Sequence, residues 1–80
     1  MNIQELVGYN LRRIRSDKGV TQEGLSAKAG ISQQYISELE SGRRNPSITL
    51  LAQLAQALGV SHIDLVKLSE GQRLTKVKRK

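Results

Sequence analysis

Apolar residues near the start of the chain recur at Ile3, Leu6, Val7, Leu11 and Ile14, the alternating three- and four-residue spacing of one helix face. That stripe predicts a helix from about Ile3 to Lys18, with Gly19 suited to the position just past its end. Helical spacing continues downstream, and no period-two alternation survives more than a few residues. Thr21 is a good N-cap for a second helix, with Glu23 favourably placed in the first turn and Gly30 at the end. Ser32 caps a third, which stops at Gly42; "RRNPS" reads as a loop. Ser47 caps a fourth helix, with Ile48, Leu51, Leu54, Ala55 and Leu58 expected inward and Gly59 at its end. Ser61 opens a short fifth, with Asp64 three residues on in capping-box fashion. The expected fold is a compact all-α domain of five helices over residues 1–70. Its second and third helices are joined by a Gly-containing turn of about three residues, the helix-turn-helix arrangement.

Charge changes this picture less than its total suggests. The 80 residues carry a net charge of +6, which invites a nucleic-acid reading. However, residues 71–80, "GQRLTKVKRK", hold five basic side chains and no acid, so the other seventy residues balance to +1. The stretch after Gly71 has no apolar stripe and is expected to be a disordered basic tail. The absence of cysteine removes disulfides and thiolate metal sites and favours a reducing compartment. With no apolar run long enough for a membrane span and no signal-like start, the expectation is a cytoplasmic protein.

Candidate chemistry concentrates in "ISQQYISELESGRRNPS", residues 31–47. On the helical period Ile36 and Leu39 fall on one side, whereas Gln34, Ser37 and Glu38 face the other and Gln33 sits at the tip. Apart from Glu38, the outward face is neutral and amide-rich where a merely solvated helix would favour Lys and Glu. A glutamine amide carries a donor beside an acceptor, the complement of N6 and N7 of adenine in the major groove of DNA. Amides also enter a groove without the desolvation cost of a carboxylate.

The longer stretch "TQEGLSAKAGISQQYISELESGRRNPS" resembles the Cro and phage-repressor type of helix-turn-helix, the XRE family. The resemblance is carried by Thr21, Gln22, Leu25, Ser26, Gly30, Ile31, Ile36, Ser37, Glu40 and Gly42. "PSITLLAQLAQALGVSHIDL" matches the family's fourth and fifth helices, so the likeness spans roughly residues 5 to 68. It implies a lambda-repressor-like DNA-binding fold with Ser32, Gln33, Gln34 and Glu38 at base-facing positions. A carboxylate at Glu38 would accept from cytosine N4, or repel phosphates and sharpen selectivity. Thr21 and Gln22 open the second helix, where free backbone amides favour a phosphate, and the resemblance places Gln22 on the DNA backbone. Arg43, Arg44 and Asn45 would grip phosphates on the opposite flank. The family pairs Glu40 with an arginine of the first helix, here Arg15 by alignment, as a structural ion pair. Tyr35 packs on the second helix or touches a thymine methyl; Arg12 and Arg13 are solvated or near phosphate. Two departures are Gly24 inside a helix, at about 1 kcal/mol relative to Ala, and Ser26 where Ala is more usual.

The fifth helix suggests assembly. Ile63 and Val66 lie on one side of a helical wheel, and Leu65 and Leu68 nearly opposite. One pair closes the core and the other needs cover, which predicts a homodimer contact among these residues. His62 stands alone without a second ligand, Asp17 and Asp64 are surface or cap acids, and the glycines are dispersed at helix ends. No catalytic residue, cofactor or metal is therefore expected. The expected function is that of a sequence-specific transcriptional regulator, a homodimer on double-stranded DNA at a pseudo-palindromic operator. It resembles phage repressors, controllers of restriction-modification operons and autoregulating antitoxins. The alternative is an antitoxin or coactivator-like module whose main surface binds a protein, such as a toxin or the transcription machinery.

Overall fold

The computed structural model describes residues 1–75, which form α1 (Ile3–Asp17), α2 (Gln22–Ala29), α3 (Gln33–Glu40), α4 (Ile48–Leu58) and α5 (His62–Val66). No strand occurs among the described residues. Every helix starts where a side chain takes up a free N–H. Thr21, Ser32, Ser47 and Ser61 cap α2 to α5 at the positions expected from the sequence. Asn2, which the apolar periodicity does not single out, caps α1. Its Oδ1 accepts from the Glu5 N–H at 2.8 Å, and the Glu5 carboxylate accepts from the Asn2 N–H at 2.9 Å. Such caps contribute about 1 kcal/mol each.

The core is aliphatic. Val7, Leu11 and Ile14 of α1 meet Leu25 of α2, Ile36 and Leu39 of α3, Leu54, Ala55 and Leu58 of α4, and Leu65 of α5. Burying each of the larger side chains stabilises the fold by roughly 1.5–3 kcal/mol. α1 packs on α3 and α5, α4 on α2 and α5, and α2 on α3. Two residues expected inward are exposed: Ile3 at 44% and Ile48 at 82%. Each is the first residue of its helix, ahead of the buried positions of its stripe. Leu51, one turn further into α4, is half-buried and packs against the core.

Two residues of α1 set its position. A Cβ on Gly8 would stand 2.5 Å from the Leu39 carbonyl oxygen and 2.8 Å from that of Glu40, so α1 rests directly on the last-turn backbone of α3. Asn10 is fully buried, and its amide donates to the Leu65 and Lys67 carbonyls, both at 3.0 Å. α5 has no glycine at its end, so this side chain takes over the capping of its carbonyls. Beyond α5, the Ser69 N–H donates to Gln72 Oε1 at 2.8 Å and the Gln72 N–H to the Ser69 carbonyl at 3.0 Å. The first residues of the basic stretch then run beside the N-terminus. The Thr75 N–H donates to the Met1 carbonyl at 2.8 Å, and the Met1 ammonium to the Arg73 carbonyl at 3.1 Å. The rest of that stretch, residues 76–80, lies outside the described residues.

Candidate nucleic-acid interface

The turn between α2 and α3 is built from local chemistry. Gly30 ends α2 at φ 68°, a left-handed conformation that glycine adopts without a Cβ clash. The Ser26 hydroxyl donates to the Ile31 carbonyl at 2.6 Å, tying the end of α2 to the start of α3. This bond gives the serine a task that an alanine could not perform. Ile36 and Leu39 then anchor α3 in the core, leaving Gln33, Gln34 and Ser37 exposed on its outer face.

That face forms the floor of a shallow groove lined by Gln22, Gln33, Gln34, Ser37, Glu38 and Arg43. A second hollow, lined by Arg12, Arg15, Gln22, Ser37, Glu40 and Ser41, shares Gln22 and Ser37 with it. The two make one polar surface with Arg12 toward one side and Arg43 toward the other. Both arginines are exposed. Arg13 faces elsewhere: it donates to Asn10 Oδ1 at 3.3 Å and stands 3.9 Å from Asp17.

Beneath this surface lies the ion pair expected from the family resemblance. Arg15 Nε and Nη2 donate to the two Glu40 carboxylate oxygens at 2.6 and 3.0 Å, and Nη1 donates to the Val20 carbonyl at 2.8 Å. The Arg15 side chain is 15% exposed and that of Glu40 5%. The hydrogen bond with Glu40 raises the Arg15 pKa above its ordinary range; burial opposes this and the Glu40 charge adds to it. Gln22 Nε2 joins the pair by donating to Glu40 Oε1 at 3.0 Å. The network therefore links α1, α2 and α3 and holds Gln22 at the groove edge. Among the described residues, no buried side-chain nitrogen or oxygen lacks a partner.

The other expected contact residues are less uniform. Ser32 and Thr21 are exposed, but each oxygen already accepts a capping bond, from Tyr35 and Gly24 respectively. Asn45 is exposed in the loop. Arg44 folds back along α3: it pairs with Glu38 at 3.1 Å and its guanidinium lies 5.2 Å from the Tyr35 ring centroid. Tyr35 itself is half-buried against the core.

The expected assembly surface needs one correction. Leu65 is fully buried in the core of its own chain, so it leaves the set of interface candidates. Ile63, Val66 and Leu68 remain exposed at 58, 37 and 39%. The helical wheel misplaced Leu68 because α5 ends at Val66 and Lys67 is already extended, at ψ 131°. Among the described residues, no cluster of His, Cys, Asp or Glu could hold a metal, and no helix is long and apolar enough to cross a membrane.

A capped helix pair around a glycine turn, with a polar second helix held outward by a buried ion pair, defines a helix-turn-helix protein. The helix-turn-helix family model matches residues 11–65. An HTH-type transcriptional regulator of Sinorhizobium fredii is 58% identical over 66 residues, covering 82% of this chain and 86% of that one. The solved structure of the clp gene regulator ClgR from C. glutamicum is 42% identical, with a TM-score of 0.79 over 82% of this chain and 85% of that one. The restriction-modification controller protein C.AhdI from Aeromonas hydrophila is 34% identical, with a TM-score of 0.75 over 78 and 94%. The chain belongs to the helix-turn-helix family of the Cro and phage-repressor type. It is a DNA-binding transcriptional regulator and not an enzyme.

Proposed function

We propose that the protein reads a specific DNA sequence by laying α3 in the major groove, and that it does so as a homodimer on a pseudo-palindromic operator in the cytoplasm. The observation that carries this reading is the pair of exposed amides, Gln33 and Gln34, without a side-chain partner among the described residues, at the tip of a helix whose opposite side is locked into the core. Two amides at that position suit adenine edges, while Arg12 and Arg43 line its margins and Asn45 is exposed in the loop that follows, where phosphates would run. The exposed Ile63, Val66 and Leu68 supply an apolar patch for the second copy, which would place two recognition helices on half-sites about 34 Å apart. The basic residues after Gly71 add sequence-independent attraction to the duplex.

Selection of bound sequences from a random duplex pool tests the reading. A palindromic consensus is expected. Gln33→Ala and Gln34→Ala should each weaken binding to it by about 1–3 kcal/mol and relax preference at one or two base pairs. Recovery of no consensus, or equal loss on every sequence, would overturn it.

A further inference from the structure

Arg44 does not project from its loop as a phosphate-gripping side chain would. Its Nε and Nη2 both donate to the same oxygen of Glu38, Oε1, at 3.3 and 3.1 Å. Its guanidinium is also within cation–π range of the Tyr35 ring, at 5.2 Å. Tyr35 packs against the core, so the ring is a fixed platform. Arg44 thus holds Glu38 from one side and leaves the second carboxylate oxygen, Oε2, without a partner among the described residues. Glu38 lines the same groove as Gln33, Gln34 and Ser37.

This arrangement has three physical consequences. A lone carboxylate at the mouth of a DNA groove faces phosphate repulsion, and the Arg44 charge cancels it. A glutamate side chain turns freely about several bonds, and two hydrogen bonds to one oxygen restrict it. The remaining oxygen can only accept. In the major groove cytosine offers an amino donor alone, whereas guanine offers acceptors, adenine sets an acceptor beside its donor, and thymine shows an acceptor and a methyl. We propose that Glu38 and Arg44 form one base-reading unit that selects cytosine, with Arg44 acting as a positioning residue and not as a phosphate clamp. This rests on the DNA-binding function proposed above and goes further by naming a base and a pair.

The test uses the full chain and the duplex recovered from the random pool, with every base pair of one half-site varied in turn. Wild type should show a cytosine whose replacement weakens binding roughly tenfold or more. Glu38→Gln should move the preference at that base pair toward adenine. Arg44→Lys keeps the charge but loses the planar fork and the ring stacking. It should reduce the cytosine preference several-fold while leaving the base pairs affected by Gln33→Ala and Gln34→Ala unchanged. The slope of log affinity against log salt should stay at its wild-type value. Melting temperatures should hardly move, because a half-exposed ion pair adds little stability. Retained cytosine preference in Arg44→Lys would overturn the proposal. So would an Arg44→Ala variant that weakens all duplexes alike and flattens the salt slope by about 0.9, the signature of a lost phosphate contact. A consensus without any cytosine responding to Glu38→Gln would overturn this inference alone. Absence of any consensus would overturn the DNA-reading function beneath it.

Discussion

Replacing Glu40 with alanine removes the anion from a nearly closed site and strands the Arg15 guanidinium there. Arg15 is 15% exposed and loses two of its three hydrogen-bonded contacts, keeping only the Val20 carbonyl; Gln22 loses its acceptor at the same time. Uncompensated buried charges of this kind cost about 3–5 kcal/mol. Water reaching Arg15 from the hollow beside Arg12 and Ser41 favours the lower figure. At 80 residues the whole fold is worth on the order of 4–12 kcal/mol. A loss of about 3 kcal/mol is thus a large share of it, and corresponds to a fall in Tm of roughly 12–24 °C. Thermal melts followed by circular dichroism, with urea unfolding as a second measure, would read the effect. Arg15→Ala should cost a comparable amount. The double replacement Arg15→Met with Glu40→Leu should be far less damaging than the sum, because apolar pairs substitute well for buried ion pairs. The sign with pH follows from the raised Arg15 pKa. A raised base stabilises fully below its unfolded pKa and loses that contribution only as pH rises through the folded one. The Arg15 contribution should therefore be constant through neutral and moderately alkaline pH and fade only in strong alkali. A Glu40→Ala melt within a few degrees of wild type, or strict additivity in the double variant, would refute the reasoning.

Gly8→Ala gains about 1 kcal/mol of helix propensity but forces a methyl against two carbonyl oxygens, an overpacking cost on the order of 1–3 kcal/mol or more. It should be less stable than wild type by urea unfolding, and an equal or higher midpoint would show that α1 does not rest on α3 as described. Asn10→Ala leaves the Leu65 and Lys67 carbonyls without their donor and should cost about 2 kcal/mol. Faster amide hydrogen exchange in α5 should accompany this loss, and unchanged protection would refute it. Ile63→Asp, at an exposed position, should keep its fold by circular dichroism yet sediment as a monomer and bind the selected duplex weakly. A wild-type chain that is monomeric both free and on DNA would refute the assembly argument.

The local punctuation of this fold is legible in the chain itself. Thr21, Ser32, Ser47 and Ser61 cap where expected, and Gly30, Gly42 and Gly59 take positive φ. Each involves groups a few residues apart, so residue type nearly decides the outcome. The Arg15–Glu40 pair joins positions 25 residues apart and follows from family resemblance, not from spacing. What the tertiary structure alone decided lies at helix crossings and ends. Gly8 looks like an ordinary helix interior until α3 is seen resting on it, and Asn10 like a surface amide until α5 ends above it. Periodicity puts Leu65 and Leu68 on one face, yet the helix stops between them, with Leu65 in the core and Leu68 beyond the last turn. Ile48 fits its stripe but, as the first residue of α4, stays exposed. Arg44 reads as a free loop cation, and only the return of the loop along α3 brings it to Glu38 and Tyr35. A helical period states which residues share a side; where a neighbour begins and ends along that side is decided by packing between segments far apart in the chain.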